Sequence, residues 1–231
     1  MRTVTPLGAA RMAAMLVVQR PGMVALLTGI SFVPAIAYGA ATARAGDATL
    51  ASLMIFAGLS LAGMLVMTSL STHAVAYFMA NQHASVGASV RHGLASLWRV
   101  LGATILLVLI LGSALATYVI PALLIAALLY VVIPVVVFED VGVVESLSRS
   151  AVLTKGYRAT CFFANLVLFG GMTLAANRLF VYLPPPYDIL AAMAVVIGCM
   201  AFSALHAVAS YVMLREQKEG ANPNSLADVF S

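Results

Sequence analysis

Long apolar runs separated by short polar stretches make up most of the chain. The runs lie at about 22–42, 50–79, 100–118, 119–138, 158–182 and 189–213. Each has roughly the 20 residues that a helix needs to cross a bilayer core of about 30 Å. The third and fourth runs are continuous in hydropathy, so Pro121 and the length of the block predict a break near Tyr118. The pattern predicts an all-α fold with six transmembrane helices in a single membrane domain over residues 1–231.

Two polar stretches between the runs, 83–99 and 142–156, carry apolar residues at helical spacing. These residues are Val86, Val90, Leu94, Leu97 and Leu101 in the first stretch and Val143, Leu147 and Ala151 in the second. Glu145 and Arg149 occupy another face of the second stretch, four residues apart, where they can form an ion pair. Asp140 stands where it can cap the start of this helix. Both stretches are typical of amphipathic helices that lie on a membrane surface.

The polar stretches also resemble one another, which predicts internal repeats. Ser89, Leu94 and Arg99 recur 59 residues later as Ser148, Leu153 and Arg158. The corresponding positions 79 residues earlier are Ala10, Met15 and Arg20. The second and sixth runs share the tetrapeptide His-Ala-Val-Ala, at 73–76 and 206–209. We predict three units, each with a surface helix followed by a two-helix hairpin.

Composition excludes a soluble protein. Hydrophobic residues make up 63% of the chain and charged residues 9%, against about 45–50% and about 25% in soluble domains. The cations are distributed unevenly, because six spans place ten on one side and only Arg44 and Arg178 on the other. The ten are Arg2, Arg11, Arg20, Arg91, Arg99, Arg149, Lys155, Arg158, Arg215 and Lys218. The positive-inside rule then predicts a bacterial cytoplasmic (inner) membrane protein with both termini in the cytoplasm.

The ionisable residues inside the apolar runs are His73 and His206. One interpretation is a haem or metal pair, or a proton relay, because imidazole binds metals and titrates near neutrality. The other is two neutral histidines that form hydrogen bonds across helices, beside small residues such as Ser69 and Ser210. The second is favoured because no third or fourth metal ligand accompanies them. We therefore predict no metal and no cofactor.

Polar residues at the run ends give the remaining candidate positions. Glu139 could be a gate or an acid in a pocket at the membrane edge, but an anion that ends its helix, caps the next helix and pairs with a nearby cation is favoured. Arg149, Lys155 and Arg158 could bind lipid phosphate, although interfacial cations mostly just meet anionic headgroups. The chain has neither a Walker-type phosphate loop nor a GxSxG motif. It is therefore predicted not to be an enzyme.

Two segments resemble a known family. PVVVFE at 134–139, followed by GVVESLSRS at 142–150 and LTKG at 153–156, resembles the membrane domain attached to some bacterial glycerophosphodiester phosphodiesterases and its stand-alone relatives of unknown function. YVMLREQKEG at 211–220 is similar to the ending of those proteins. The resemblance implies the same six-span layout. In the fused enzymes a soluble barrel performs hydrolysis, and these 231 residues contain no such barrel, so we expect no phosphodiesterase activity.

These observations predict a non-enzymatic membrane protein that acts as a lipid-contacting or assembly module of a larger membrane complex. A small transporter or lipid-moving protein is the first alternative, with His73, His206 and Glu139 as polar points between repeats. A haem-binding membrane subunit is the second. The expected partners are membrane lipids, other membrane-protein subunits or a second copy of the chain, and not nucleic acid.

Overall fold

The structure is a computed structural model that describes residues 6–45, 49–79, 86–184 and 187–220. Within these ranges the chain forms ten α-helices and no strand. The helices are α1 (Pro6–Gln19), α2 (Pro21–Ala45), α3 (Leu50–Met79), α4 (Val86–Ala95), α5 (Leu97–Thr117), α6 (Val119–Leu128), α7 (Val132–Glu139), α8 (Val143–Leu153), α9 (Arg158–Tyr182) and α10 (Tyr187–Glu219). The predicted all-α fold is confirmed.

Five helical segments of the described ranges are long and apolar enough to cross a membrane. They are Pro21–Thr42, Leu50–Phe78, Ile120–Glu139, Arg158–Leu179 and Leu190–Glu219. A sixth is counted if α4 and the first part of α5, which meet at a bend of 62°, are taken as one span. The five segments coincide with five of the predicted apolar runs to within a few residues.

The continuous apolar block at 100–138 is interrupted twice. The predicted break near Tyr118 is confirmed, because Tyr118 is extended (φ −159°, ψ 146°) between α5 and α6. The second interruption was not predicted: α6 ends at Leu128 and α7 begins at Val132. Pro134 accounts for it, since proline cannot donate to the carbonyl of Tyr130 and its ring crowds that group. Pro134 is tolerated in the first turn of α7, where backbone N–H groups have no intrahelical acceptor.

A helix occupies each of the two polar stretches, but the helix ends differ from the bounds predicted from the sequence. Residues 83–85 lie outside the described ranges, and α4 ends at Ala95 because the chain bends at Ser96 before α5. The predicted cap of α8 is wrong: its N-cap is Gly142, and Asp140 takes a left-handed conformation (φ 54°) at the end of α7. Asp140 pairs with Arg99 at the start of α5 instead. Glu145 lies in the first turn of α8.

The helices α1, α4 and α8, which correspond to the predicted surface helices of the three units, pack in the same manner. Each precedes a pair of longer segments and lies against the last segment of another pair: α1 against α10, α4 against α3, and α8 against α7. The long helices form the hairpins α2–α3 and α9–α10, and α3 packs along α10 at the centre. Buried side chains of α3 and α10 form much of the main core, including Met67, Leu70, Leu205, Val208 and Tyr211.

Small or compact buried residues mark the packed face of each short helix. They are Ala9, Ala13 and Leu16 in α1, Ser89 and Gly93 in α4 with Ser96 just after it, and Ser146, Ser150 and Leu153 in α8. Each set follows the spacing i, i+4, i+7, which keeps residues on one helix face. Residue matching alone pairs Ser89 with Ser148, but Ser148 is exposed. The position in α8 with the burial of Ser89 is Ser146, 57 residues further on.

Candidate functional site

An apolar groove lies between α3, α5 and the broken pair α6–α7. It contains a cavity of about 360 Å³ that is open on one side. The lining residues are Leu61, Met64, Leu65, Thr68, Thr104, Leu107, Val108, Leu111, Ala126, Leu129, Tyr130, Ile133, Pro134 and Ala207. A second cavity of about 240 Å³, between α3 and α5, shares Leu61, Leu65, Thr104 and Val108 with the first. We refer to the two cavities together as the α3–α5 groove.

The polar side chains of the groove wall already have hydrogen-bond partners. The hydroxyl of Thr68 donates to a carbonyl of its own helix at 2.8 Å, and that of Thr104 does the same at 2.7 Å. The hydroxyl of Tyr130 is hydrogen-bonded to Nδ1 of His206. Because leaving a polar group unsatisfied in an apolar site is costly, these contacts leave a wall that suits a hydrocarbon chain better than a polar ligand.

His206 supports the break between α6 and α7. It lies on α10 with only 3% of its surface exposed, and its partner Tyr130 lies in the break itself. The neighbouring residue Ala207 lines the groove. The sequence predicted a hydrogen bond from this histidine across helices, and Tyr130 is the partner. A tyrosine inside an apolar environment usually forms a hydrogen bond through its hydroxyl. The presence of Tyr130 within an apolar run could therefore have indicated a polar partner on another helix.

His73 belongs to a different cluster, on the face of α3 that packs against α4. Its Nδ1 lies 3.0 Å from the hydroxyl of Ser89. Its ring stacks on Tyr77 and His92, with centroid distances of 4.4 and 5.2 Å. Ser69 joins the same helix contact through the carbonyl of Gly93, at 3.1 Å. Each of the two predicted histidines thus has its own partners, and the described residues include no group of three potential metal ligands.

Glu139 forms an ionic network with α8 and α10. Its Oε2 accepts from Nε of Arg149 at 2.7 Å, and its Oε1 accepts from the hydroxyl of Tyr211 at 2.9 Å. Glu219 pairs with Arg149 and, at 3.1 Å, with Nε of Arg215. Two cations and two anions give no net charge. The favoured interpretation of Glu139 agrees with this geometry in that the anion ends its helix and pairs with a cation. The predicted cap is wrong, because the N-cap of α8 is Gly142 and no side chain forms a cap hydrogen bond there. We call these five residues the Glu139 network.

The ion pair expected between Glu145 and Arg149 does not form. Glu145 is exposed, whereas Arg149 turns towards Glu139 and Glu219. The hydrogen bond that Arg149 donates to Glu139, together with the one that it donates to Glu219, raises the pKa of Arg149 above its ordinary value, against the effect of burial. The two glutamates lie 10 and 70 residues away in sequence, so helical spacing could not identify them.

Helix α8 also satisfies the backbone at the break. The carbonyl oxygen of Leu128, the last residue of α6, accepts from the hydroxyl of Ser150 at 2.9 Å and from that of Thr154 at 3.2 Å. Both donors are fully buried. Breaks in apolar helices are tolerated when neighbouring side chains pair with the backbone groups that they release. Neither residue was predicted from the sequence, although their spacing of four residues is one that brings side chains to the same face of a helix.

The predicted group Arg149, Lys155 and Arg158 is divided in the structure. Arg149 belongs to the Glu139 network, while Lys155 and Arg158 are exposed at the turn between α8 and α9. Lys218 of α10 reaches this turn and donates to the backbone carbonyls of Val152 at 2.8 Å and Lys155 at 2.7 Å. Lys218 was not among the predicted site residues, because nothing local in the sequence relates it to α8.

Comparison with protein-family models, with curated proteins and with solved structures gives no match to this chain. The resemblance to the phosphodiesterase membrane domain therefore stays a prediction. The segments that carry it, 134–139, 142–150, 153–156 and 211–220, lie in α7, in α8 and the turn after it, and at the end of α10. They contain the five residues of the Glu139 network and the two hydroxyls that contact Leu128.

Proposed function

We propose that this protein is a non-enzymatic integral membrane protein that holds the hydrocarbon chain of a membrane lipid in the α3–α5 groove. The observation that carries the proposal is an open cavity of about 360 Å³ with an apolar lining, whose wall hydroxyls already have hydrogen-bond partners. Such a site offers little to an ion, a sugar or a peptide. It offers dispersion contacts and desolvation to an acyl chain.

The proposed topology has six spans in the bacterial cytoplasmic membrane, with both termini in the cytoplasm. It takes α5 as the sixth span, since its 21 residues correspond to about 32 Å of helix. If α5 crosses the bilayer, the 62° bend before it brings α4 closer to the membrane plane than to the normal. This supports α4 as a surface helix. The ten-to-two distribution of cations supports the orientation.

The proposed architecture also contains three related units, α1–α3, α4–α7 and α8–α10. Two observations support them. The short helix of each unit packs against the last segment of another unit, and each presents a compact buried face with the same spacing. In this arrangement the groove lies between the first and second units, where α3 meets α5 and α6–α7.

The groove is tested by filling it. Leu61 lines both cavities and is partly exposed, so Leu61→Trp can occupy the groove without displacing the core. We expect the variant to retain much less lipid after detergent extraction, measured by native mass spectrometry, and to lose crosslinking to a phospholipid with a photoreactive acyl chain. Leu174→Trp on α9 is the matched control, because Leu174 is also exposed and apolar but lines neither cavity.

Equal lipid retention and crosslinking by the wild type and both variants would contradict the proposal. Co-purified membrane proteins, identified in the same preparations, would test the assembly role. A Soret absorbance band in the purified protein would favour the haem-binding alternative.

A lipid-moving protein is the second candidate. The observation that favours it is the interrupted span α6–α7, whose break contributes Leu129 and Tyr130 to the groove wall. Interrupted helices beside a binding site are common in transporters. Transfer of a fluorescent phospholipid between the leaflets of proteoliposomes is the test. We expect transfer with the wild type and little with Leu61→Trp if this candidate is right, and no transfer above empty vesicles if the protein only holds lipid.

A further inference from the structure

Three cations meet at the turn between α8 and α9. Lys155 lies in the turn, Arg158 begins α9, and Lys218 approaches from the end of α10. All three side chains are exposed. Lys155 and Arg158 are close enough to Lys218 to repel its ammonium group, which lies 5.9 Å from the ring centroid of Tyr157. We call Lys155, Arg158 and Lys218 the junction patch.

No ion pair within the described part of the chain neutralises the charge of the junction patch. Lys218 donates to two backbone carbonyls, and none of the three cations forms an ion pair with a carboxylate of the described residues. The nearby carboxylate of Glu219 already pairs with Arg149 and Arg215. By contrast, Arg99 pairs with Asp140. The patch therefore concentrates positive charge that an external anion can neutralise.

The position of the patch favours a lipid over a soluble anion. Arg158 is the first residue of one candidate span, and Lys218 lies one residue before the end of another. If both segments cross the bilayer as proposed, both cations lie near its phosphate groups. The aromatic ring of Tyr157, beside Lys218, is typical of the membrane interface. We propose that the junction patch binds the phosphate of an anionic phospholipid in the cytoplasmic leaflet, at a site separate from the α3–α5 groove.

The test compares two double variants of the full chain. Lys155→Gln/Arg158→Gln removes two patch charges and keeps the bonds from Lys218 to the end of α8. Arg11→Gln/Arg91→Gln removes two exposed cations elsewhere on the proposed cytoplasmic side. Each protein is equilibrated in nanodiscs with equal amounts of phosphatidylglycerol and phosphatidylcholine, and the lipids that remain bound are identified by native mass spectrometry.

We expect the wild type to retain phosphatidylglycerol preferentially. The patch variant should lose this preference by about 5- to 30-fold, since each interfacial cation contributes about 1 kcal/mol to binding an anionic membrane lipid. The control variant should keep it. An unchanged preference in the patch variant, or an equal loss in the control, would overturn the proposal.

A further arm separates lipid from free phosphate. If millimolar inorganic phosphate displaces the bound phosphatidylglycerol from the wild type, the patch recognises the ion rather than a lipid, and the proposal is overturned. The result does not depend on the groove, because the measured quantity is the ratio of anionic to zwitterionic lipid. Failure of the groove proposal would appear instead as unchanged total lipid in Leu61→Trp.

Discussion

Gly93 sets the distance between α4 and α3. A Cβ atom at this position would lie 3.1 Å from the Cα atom of Leu70 and closer still to its side chain. Because the backbone of α3 contacts Gly93 and cannot move aside as a side chain can, a larger residue at position 93 must push the two helices apart. The same helix contains Gly87, where a Cβ would meet nothing within 4 Å. The pair gives a controlled comparison within one helix.

We expect Gly93→Val to lower the free energy of unfolding by about 1–3 kcal/mol, the usual effect of overpacking. Gly87→Val should change it much less. Thermal unfolding in detergent, followed by circular dichroism, measures both. Equal melting temperatures for the two variants would show that α4 does not pack closely on α3.

Tyr130 and His206 form the polar contact beside the groove. Tyr130→Phe removes the hydroxyl and leaves Nδ1 of a buried histidine without this partner. An unsatisfied buried polar group costs about 1–3 kcal/mol, so we expect destabilisation of that size. Tyr118→Phe is the control, because Tyr118 is exposed at the other break of the same apolar block. Chemical unfolding in mixed micelles compares them. Equal stability of Tyr130→Phe and Tyr118→Phe would contradict the role given to this contact.

At the scale of single helices, the break between α6 and α7 depends on α8. The hydroxyls of Ser150 and Thr154 are the side-chain donors to the carbonyl of Leu128. We expect Ser150→Ala/Thr154→Val to loosen the break while keeping the size of both side chains nearly unchanged. Amide hydrogen exchange of a peptide covering 128–135 should become faster, because the local structure loses both donors to that carbonyl.

Ser148→Ala, at an exposed position of the same helix, should leave this exchange unchanged. If the double variant exchanges no faster than the control, α8 does not stabilise the break. If the double variant does exchange faster, lipid retention by the groove is the next measurement, since Leu129 and Tyr130 lie in the break and also line the groove.

The helices could be predicted from the sequence because each follows from a local signal. Apolar runs gave the long helices, and helical spacing of apolar residues gave α4 and α8. The break after Leu128 could not be predicted in this way, since valine, isoleucine and leucine continue across it and Pro134 lies several residues further on. Two further predictions, the cap of α8 by Asp140 and the ion pair Glu145–Arg149, were wrong. Both were inferred from neighbours in sequence, whereas the actual partners come from other helices.

Individual polar residues of the candidate site could be predicted from the sequence, but their partners and the groove could not. His206, Glu139 and Arg149 were recognised because a polar residue in or beside an apolar run is conspicuous. Their partners Tyr130, Tyr211 and Glu219 depend on how α10 packs along α7 and α8. The groove itself has no sequence signature, because its lining consists of the same kinds of apolar residues that are exposed elsewhere on the long helices.

At the scale of the whole molecule, α1 packs against α10 and so connects residues near the two ends of the described chain. Ala13 lies in this contact face and is 1% exposed, while its neighbour Ala14 is exposed. We expect Ala13→Arg to destabilise the protein by several kcal/mol, because burying an unpaired charge is costly, and Ala14→Arg to have little effect.

Limited proteolysis with trypsin, together with thermal unfolding in detergent, distinguishes the two arginine variants. Rapid cleavage at position 13 but not at position 14 would support the contact. Similar cleavage and similar melting temperatures would contradict the packing of α1 on α10.

The contact between α1 and α10 constrains the order of events during biosynthesis. A ribosome makes α1 before α10, and about 170 residues separate the end of one from the start of the other, which takes roughly 9–34 s at elongation rates of about 5–20 residues per second. Throughout that time the alanine-rich face of α1 has no α10 to cover it. If the chain spans the membrane as proposed, α1 must stay at the membrane surface, or be shielded by an insertion factor, until the hairpin α9–α10 enters the bilayer.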